Sequence, residues 1–306
     1  MAPLRGPPDE RSPAELLRFG VVNLDKPSGP SAHQVAGWLR DAVGDALAAA
    51  GADRGPAKAA HGGTLDPKVT GCLPTLLGDG TRAARAFLAG RKEYVAVLEL
   101  HGPPPARLEE VLATFEGPLY QRPPRKSAVA RRRRVREVSE LTALDVDGRQ
   151  VLLGVRCESG TYVRKLCHHL GLALGTGGHM GALRRTGTEP FDDADLVTME
   201  DVVDALAFWT EDGEAAPLRA VVDPAERALT HLPQVAVARS AARQVAEGAP
   251  VYAPGVVGAD LDGVTPDEEP LVACYTPDGA AVCLGRLVAA PDAGSGTVVD
   301  LEHVLV

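Results

Sequence analysis

The spacing of hydrophobic residues changes near residue 229, and this change constrains the fold more than any other feature. Up to residue 228, short apolar runs and helical segments follow one another irregularly, which favours an α+β domain over a doubly wound parallel sheet. Beyond it, a helical segment near 239–247 is followed by four apolar runs separated by turns, VYAPGVVG, LVACYT, AAVCLGRLVA and TVVDLEHVLV. The sequence predicts an α+β domain over 19–228, a small all-β module over 229–306, and an N-terminal extension over 1–18.

Local signals predict several elements within these regions. Ser31 and Gln34 form a capping box, and apolar residues then recur at helical spacing until Gly51, so we expect a helix there. Pro277-Asp278-Gly279 lies between two apolar runs and predicts a hairpin, because proline sets a negative φ and glycine accepts a positive one. Further predicted elements are strands at 94–101, 138–145 and 151–157, a helix at 106–115, and a helical return over 192–226.

The chain has 306 residues, 45% of them hydrophobic, which is enough for a large core. It contains no run of eighteen apolar residues, and residues 1–15 are proline-rich and charged, so we expect a cytoplasmic protein without membrane contact. No Cys-x-x-Cys pair occurs, which argues against a disulfide framework or a zinc ribbon. We interpret the cysteines as buried apolar residues: Cys72, Cys157, Cys167, Cys274 and Cys283.

The net charge of −9 is distributed unevenly along the chain. Residues 1–185 contain 27 Lys and Arg against 19 Asp and Glu, a net of +8, whereas residues 186–306 contain 5 against 22, a net of −17. A basic N-terminal region suits binding to a phosphate backbone. Adaptation to high salt, where an acidic surface keeps a protein in solution, fits the composition about equally well, and the two interpretations are compatible.

The segment HGGTLDPKVTG, residues 61–71, presents one carboxylate in a stretch with few other reactive side chains. Its glycines allow close approach of the backbone, and Pro67 stiffens the chain just after Asp66. A carboxylate on such a rigid loop can act as a nucleophile or a base if a nearby cation keeps it ionised. The alternative is an aspartate that makes an Asx turn before proline, which is a common arrangement without catalytic meaning.

Longer motifs shift the balance towards catalysis. Together with HGGTLDPKVTG, the segments VVNLDKPSGPS, RKEYVAVLELHG, CESGTYVRKLCHHLG and GGHMGALRRTGTEPF resemble the TruB and dyskerin family of RNA pseudouridine synthases. The matching motifs cover about residues 20–191. The later segment ARSAARQVAEGAPVYAPGVVG, with the strands that follow it, looks like the PUA domain of that family.

The resemblance implies a catalytic domain with a central mixed, mainly antiparallel sheet, and a small β-barrel PUA domain that binds RNA. It implies the isomerisation of uridine to pseudouridine in RNA, with the target base flipped out of its helix and with no metal or organic cofactor. Asp66 matches the catalytic aspartate and Arg164 the arginine that pairs with it. Tyr162 matches a tyrosine near the scissile bond, and Tyr94 matches the residue that stacks on the flipped base.

The same resemblance assigns further residues to contacts with the substrate. His61 matches the histidine beside the flipped nucleotide, and Leu183 matches the apolar residue that packs under the base. Lys26, in the first motif of the family, is assigned to RNA contact. His168 and His169 lie in an apolar helical segment and are interpreted as structural, since no third ligand occurs at metal spacing.

A run of four arginines follows the sequence QRPPRKSAVA. Such a run is usually a solvated face, and if residues 129–135 form a strand its side chains alternate between two sides. The family places this region near the active-site cleft, so we expect phosphate contact from some of its members. The residues are Arg131, Arg132, Arg133 and Arg134.

Two departures from the motifs indicate a branch of the family. Gly62 stands where the family usually has serine or threonine, which is expected to loosen the loop without removing the acid. Tyr94 and Tyr162 are only 68 residues apart, which is too short for the insertion of the stand-alone bacterial branch. With KSAVARRRRVRE, this spacing resembles the dyskerin-type branch of archaea and eukaryotes. The missing lysine-rich tails and the acidic composition favour a salt-adapted archaeal source.

The branch implies that the chain is the catalytic subunit of a box H/ACA particle, whose guide RNA selects uridines in ribosomal RNA. Uridine 55 in the T-psi-C arm of transfer RNA is a further expected target. The implied protein partners are a small zinc-ribbon protein, a glycine-arginine-rich-type protein and a kink-turn-binding protein of ribosomal type. A stand-alone transfer-RNA synthase remains open, whereas the set of Asp66, Tyr94 and Arg164 argues against a non-catalytic RNA-binding scaffold.

Overall fold

The structure is a computed structural model that describes residues 4–52, 57–123, 130, 132–261 and 263–306. Its first part contains helices α1 (Pro13–Arg18), α2 (Ala32–Ala49), α3 (Ala86–Ala89), α4 (Leu108–Ala113), α5 (Val163–Leu174), α6 (Met199–Ala207) and α7 (Ala216–Val221). The strands are β1 (Gly20–Lys26), β2 (Ala59–His61), β3 (Thr70–Leu77), β4 (Lys92–Leu100), β5 (Gly117–Gln121), β6 (Arg134–Asp147), β7 (Gln150–Cys157), β8 (Gly178–Thr188), β9 (Phe191–Asp192) and β10 (Asp223–Pro224).

These strands form one sheet in the order β10-β1-β3-β8-β4-β7-β6-β5, with β2 paired to β3 and β9 paired to β8. Neighbouring strands run antiparallel, except that β3 and β8 are parallel at Thr70 and Gly71. β3 is buried along nearly its whole length, as expected for a continuously apolar strand in the middle of a sheet. The predicted α+β class and the mixed, mainly antiparallel sheet are confirmed.

The helices cover this sheet in two places and so create two hydrophobic cores. In the first, α2, α6 and α7 pack on β1 and β3, with Leu39 and Leu73 fully buried. In the second, α4 and α5 pack on β4, β6 and β7, with Leu166 fully buried. Tyr94 and Leu183 pack against both cores. Two residues that the motifs assign to substrate contact therefore lie at the boundary between the two cores.

The local predictions for this part of the chain are confirmed. α2 begins at the capping box, where the Ser31 hydroxyl accepts a hydrogen bond from the Gln34 N–H at 3.2 Å and Gln34 Oε1 accepts one from the Ser31 N–H at 2.9 Å. The acidic return contains α6, a π-helical turn at Phe208–Asp212 and α7. The predicted strand near 138–145 corresponds to β6, which is longer than expected. It extends over 14 residues and forms a hairpin with β7.

The C-terminal module contains α8 (Arg239–Ala246) and the strands β11 (Gln234–Val237), β12 (Val251–Tyr252), β13 (Val256–Asp260), β14 (Leu271–Tyr275), β15 (Ala281–Leu287) and β16 (Thr297–Val304). They form a six-stranded sheet in the order β12-β16-β15-β14-β11-β13, with β11 parallel to β14. The predicted hairpin joins β14 to β15: Gly279 has φ of +84°, and the Thr276 N–H donates to the Ala280 carbonyl at 2.9 Å. The small all-β module is thus confirmed.

The two parts of the chain share a third core. Phe19, Leu76 and Phe87 of the first part pack in one cluster with Leu284 and Leu305 of the C-terminal module. Removing residues 231–306 would therefore expose apolar surface of the first part.

The N-terminal segment also belongs to this interface. Arg11 makes a buried, bidentate ion pair with Glu226, with N to O distances of 2.8 and 2.6 Å. Glu226 in addition accepts a hydrogen bond from the Ala281 N–H of β15 at 3.0 Å. The expected N-terminal extension is thus tied to both sheets, since a bidentate arginine and carboxylate pair fixes both partners.

All five cysteines are buried and unpaired, in agreement with their interpretation as core residues. Among the helices of the described residues, none has the length and apolar character needed to cross a membrane.

Candidate active site

The catalytic loop, defined here as residues 62–69, connects β2 to β3. Leu65 and Val69 are buried and anchor it, whereas Asp66 between them is exposed. The Val69 N–H donates to the Asp66 carbonyl at 2.9 Å and closes a β-turn with Pro67 at its second position. This turn accounts for Asp-Pro in the sequence and presents the carboxylate on the outside of a rigid corner.

Lys26, at the end of β1, supports the catalytic loop through hydrogen bonds to backbone carbonyls. Its side chain is fully buried, and its ammonium group donates to the carbonyls of Val69 at 2.7 Å, Pro27 at 2.8 Å and Pro67 at 3.1 Å. Burial lowers the pKa of Lys26. The expected RNA contact does not fit this geometry, because a buried ammonium with three carbonyl partners cannot reach a phosphate. Lys26 is instead a structural support of the loop.

Lys26→Met is expected to lower the free energy of unfolding by about 1–3 kcal/mol, because buried carbonyls lose their donor. The slope of log RNA affinity against log salt should not change, since no phosphate contact is lost. Urea unfolding and salt-dependent binding check the two expectations. Lys68→Met, on an exposed side chain of the same loop, is the matched control. A drop in slope of about 0.7–0.9 in Lys26→Met would show that the lysine does contact RNA.

Asp66 pairs with Arg164, although the two residues lie 98 positions apart in the sequence. The side chains are about half exposed, 48% for Asp66 and 43% for Arg164, so a substrate can reach the pair. Arg164 lies in the first turn of α5, where the helix dipole disfavours a positive charge. The carboxylate offsets this repulsion and is itself held in one orientation. The structure thus brings together the predicted reactive group and its predicted partner.

Tyr162 precedes α5, and its backbone is held by a residue that sequence reasoning missed. Gln121, at the end of β5, is buried; its Oε1 accepts a hydrogen bond from the Tyr162 N–H at 2.8 Å, and its Nε2 donates to the Tyr162 carbonyl at 3.3 Å. Both contacts orient the start of α5 and hence Arg164. The sequence contains only a weak signal for Gln121, because a glutamine before Arg-Pro-Pro has no evident role there. Its role depends on the fold, which places the end of β5 beside the start of α5.

Tyr94 and Leu183 lie on one face of the sheet, on adjacent strands. In the pairing of β4 with β8, Tyr94 is opposite Arg185 and Ala96 is opposite Leu183, so these four side chains share a face. Burial raises the pKa of Tyr94, and Arg185 opposes that rise through its charge and a hydrogen bond. The ring is partly exposed at the junction of the two cores. It can therefore present a face to a planar ligand while its hydroxyl stays inside.

His61 ends β2 and enters the catalytic loop. Burial is the main cause that lowers its pKa, followed by the positive charge of Arg185, so the imidazole is neutral at neutral pH. A Cβ at the next residue, Gly62, would lie 2.9 Å from the ring of Phe87. The departure from the serine or threonine of the family thus has a packing reason, since the aromatic ring occupies the space of a side chain.

Arg132, Arg133 and Arg134 are exposed, and Arg131 lies outside the described residues. β6 begins only at Arg134, so the strand-like alternation expected for 129–135 does not extend over the run. Arg133 lies over the exposed ring of Tyr120, 5.8 Å from its centroid. Arg134 is opposite Gln121, the residue that holds Tyr162. The described part of the run therefore continues the edge of the site.

Within the described part of the chain, no three His, Cys, Asp or Glu side chains are grouped as metal ligands would be. The groups that the site offers are thus a carboxylate, a guanidinium, two phenols, an imidazole and apolar surface. The absence of a cofactor stays a prediction of the resemblance.

Three family models match the sequence. Residues 5–36 match the DKCLD (NUC011) domain, residues 53–104 the N-terminal domain of the TruB family pseudouridylate synthases, and residues 164–230 the C-terminal domain of tRNA pseudouridylate synthase B. The second match contains the catalytic loop and Tyr94, and the third contains Arg164 and Leu183.

Similar proteins cover the whole chain. A protein of Halobacterium salinarum described as "Probable tRNA pseudouridine synthase B" is 61% identical over 99% of both chains, and one of Haloarcula marismortui is 60% identical over 99% of this chain and 94% of its own. The structure titled "Crystal Structure of a Cbf5-Nop10-Gar1 Complex" aligns with a TM-score of 0.88 and 41% identity over 100% of this chain and 91% of the other. The structure titled "Structure of H/ACA RNP bound to a substrate RNA containing 2'-deoxyuridine" aligns with 0.86 and 39% over 100% and 91%.

The expected archaeal, salt-adapted relatives are among these proteins. The alignments include the catalytic loop, α5, the sheet and the C-terminal module, because nearly the full length of each chain is aligned. The chain therefore belongs to the TruB/dyskerin family of pseudouridylate synthases, which are isomerases.

Proposed function

We propose that the chain converts specific uridines in RNA to pseudouridine, with Asp66 as the reactive group. The observation that carries this proposal is the pairing of Asp66 with Arg164 at the surface of a rigid turn. In the reaction, the bond from uracil N1 to ribose C1′ breaks, a bond from C5 to C1′ forms, and the proton of C5 is replaced by one on N1. The ionised carboxylate attacks the nucleotide or removes a proton, so that the base detaches, rotates and rejoins. The reaction needs no cofactor.

The target base must leave its stack to reach the carboxylate, at a cost of roughly a few kcal/mol. Tyr94 offers a partly exposed aromatic face, and stacking on it contributes about 1–3 kcal/mol, which offsets part of that cost. Leu183 shares this face of the sheet and gives the other apolar contact. His61, neutral at neutral pH, lies at the loop entrance beside the flipped nucleotide, and Tyr162 lies near the bond that breaks.

A guide-RNA particle is the proposed setting of this activity. The aligned structures are of Cbf5 with Nop10 and Gar1, and of an H/ACA RNP with substrate RNA. By this likeness we propose ribosomal RNA as the main substrate, transfer RNA as a further one, and accessory proteins as partners, with the C-terminal module holding RNA as a PUA domain. The cytoplasm is the proposed place of action, since these RNAs are found there.

A stand-alone transfer-RNA synthase is the second candidate. The relatives with the highest identity quoted above are described as tRNA pseudouridine synthase B, which favours transfer RNA as the direct substrate. A non-catalytic scaffold would not require the pairing of Asp66 with Arg164 at an accessible surface, and so fits the site less well.

One assay separates these candidates. Pseudouridine is measured in a transfer-RNA transcript and in a ribosomal-RNA fragment, each incubated with the purified chain alone and with guide RNA and the accessory proteins. We expect modification of the ribosomal fragment only with the guide and accessory proteins, and some modification of transfer RNA without them. Activity confined to transfer RNA would favour the stand-alone enzyme. If no pseudouridine forms under any condition, the non-catalytic scaffold becomes the favoured candidate.

The arginine run is expected to contact phosphates next to this site. Replacing one phosphate-contacting arginine with glutamine should lower the magnitude of the salt slope of RNA affinity by about 0.7–0.9. Arg131, Arg132, Arg133 and Arg134 are tested singly by titrating RNA binding at several salt concentrations. Arg149→Gln, at the exposed turn between β6 and β7, is the control. If all four variants bind like the wild type, the run is a solvated face.

A further inference from the structure

Arg185 on β8 is a buried arginine to which the motifs assign no role. Arg185 is 1% exposed, and its side chain is the largest among the fully buried side chains of the described residues. Within the described ranges, no carboxylate lies within 4.0 Å of its guanidinium. By contrast, the preceding Arg184 is partly exposed and makes a bidentate ion pair with Asp25, with both distances 3.0 Å. Two adjacent arginines thus have opposite environments.

The guanidinium of Arg185 joins three parts of the proposed site. Its Nε donates to the Cys72 carbonyl of β3 at 2.7 Å, and its Nη2 donates to the Gly63 carbonyl of the catalytic loop at 3.2 Å. Tyr94, the residue opposite it in the sheet, lies on the same face, and its hydroxyl is close enough for Arg185 to oppose the rise of its pKa through charge and hydrogen bonding. The other terminal nitrogen of Arg185 would lie 3.3 Å from a Cβ at Gly63, so a side chain there would press against the guanidinium.

Stability alone does not account for this arrangement. A buried charge loses several kcal/mol of hydration, and apolar replacement of such a group is often neutral or stabilising. The same position on β8 could be filled by leucine or methionine in contact with the two cores. What an apolar residue could not do is hold the Gly63 carbonyl and the Tyr94 hydroxyl at one fixed separation. Catalysis depends on such separations, because a displacement of about 1 Å can cost on the order of a hundredfold in rate.

We propose that Arg185 is a positioning residue that fixes the stacking tyrosine and the catalytic loop relative to each other, so that the flipped base meets the Asp66 carboxylate in the reactive geometry. Gly63 lies only three residues before Asp66, and Pro67 and Lys26 hold the loop on its other side. On the other side, Tyr94 lies directly opposite Arg185 on the neighbouring strand, with both side chains on one face of the sheet. The role rests on the proposed function, since it concerns the geometry of that reaction.

The test is a double-mutant cycle with Arg185→Lys and Tyr94→Phe in the full-length chain. Lysine keeps the charge but lacks the planar fork that reaches two acceptors, and phenylalanine keeps the ring but lacks the hydroxyl. Single-turnover rates are measured at saturating enzyme, on an RNA that the wild-type chain modifies. We expect each single variant to slow the reaction by about tenfold to a hundredfold while RNA affinity stays within about threefold. The single-turnover rate of the double variant should lie within about threefold of the rate of the slower single variant, because both changes remove the same contact.

Several results would overturn the proposal. Rate losses that multiply in the double variant would show that the two residues act independently, and a wild-type rate in Arg185→Lys would show that the fork is not needed. Arg184→Lys, on the adjacent position of the same strand, is the control, and an equal loss there would mean that any change in β8 slows the enzyme. A loss confined to RNA affinity would also contradict a positioning role.

The folding of each variant is followed by thermal unfolding. If Arg185→Lys does not fold, the comparison of Tyr94→Phe with Tyr94→Leu still tests the idea. Removal of the hydroxyl alone must then give most of the loss in rate, and a wild-type rate in Tyr94→Phe would overturn the proposal. If the wild-type chain forms no pseudouridine in any RNA, the proposed function fails; if the wild type is active and these variants match it, only the role of Arg185 fails.

Discussion

Asp66→Asn is expected to reduce pseudouridine formation to background while RNA affinity stays within about twofold of the wild type. The amide has nearly the same shape as the carboxylate but can neither attack the nucleotide nor accept its proton. The turn that presents the residue survives, because it is closed by the backbone of Asp66 and Val69. Single-turnover conversion of uridine and filter binding of the same RNA measure the two effects.

The stability of Asp66→Asn should remain within about 0.5 kcal/mol of the wild type, because a surface ion pair contributes little and Arg164 keeps access to water. A loss of activity therefore cannot be attributed to unfolding. Asp41→Asn, in an exposed ion pair on α2, is the matched control and should remain fully active. Turnover near the wild-type rate in Asp66→Asn would remove Asp66 from the proposed mechanism.

Arg164→Ala is expected to slow the reaction by about 10²–10³-fold, because the carboxylate loses the charge that orients it and keeps it ionised. Arg164→Lys should recover only part of this loss, since an ammonium lacks the planar fork that pairs with a carboxylate. Rates at saturating enzyme, measured over a range of pH, test both variants.

The helix that carries Arg164 should not be damaged by these substitutions. The position lies in the first turn of α5, where alanine is well tolerated, and Gln121 continues to hold the backbone at Tyr162. Lys165→Ala, at the next position, is the control for any general effect on this turn. Full recovery by lysine would argue against an oriented arginine and carboxylate pair, and unchanged activity in the alanine variant would show that the pair is incidental.

Much of the local structure was predictable because its causes lie close together in the sequence. The Ser31 capping box and the Pro277-Asp278-Gly279 turn act over three or four residues, and both elements appear where expected. The motif resemblance likewise singled out Asp66 and Arg164, which the fold brings into contact. Lys26 shows the limit of this approach, because a motif lysine looks the same in a sequence whether it binds phosphate or supports a loop. Its burial became visible only when β1 was paired with β3.

The periodicity of the strands and helices was thus readable from the residues alone, and the motif resemblance supplied the candidate reactive groups. The interdomain core around Phe19 and Leu305, the clamp of Gln121 on Tyr162 and the contacts of Arg185 were not readable from the sequence. Arg185 meets Gly63 across 122 positions, and Asp66 meets Arg164 across 98. Such contacts depend on the order of strands, with β8 placed between β3 and β4. No local pattern encodes that order, because it is selected by how the whole set of apolar faces can be buried at once.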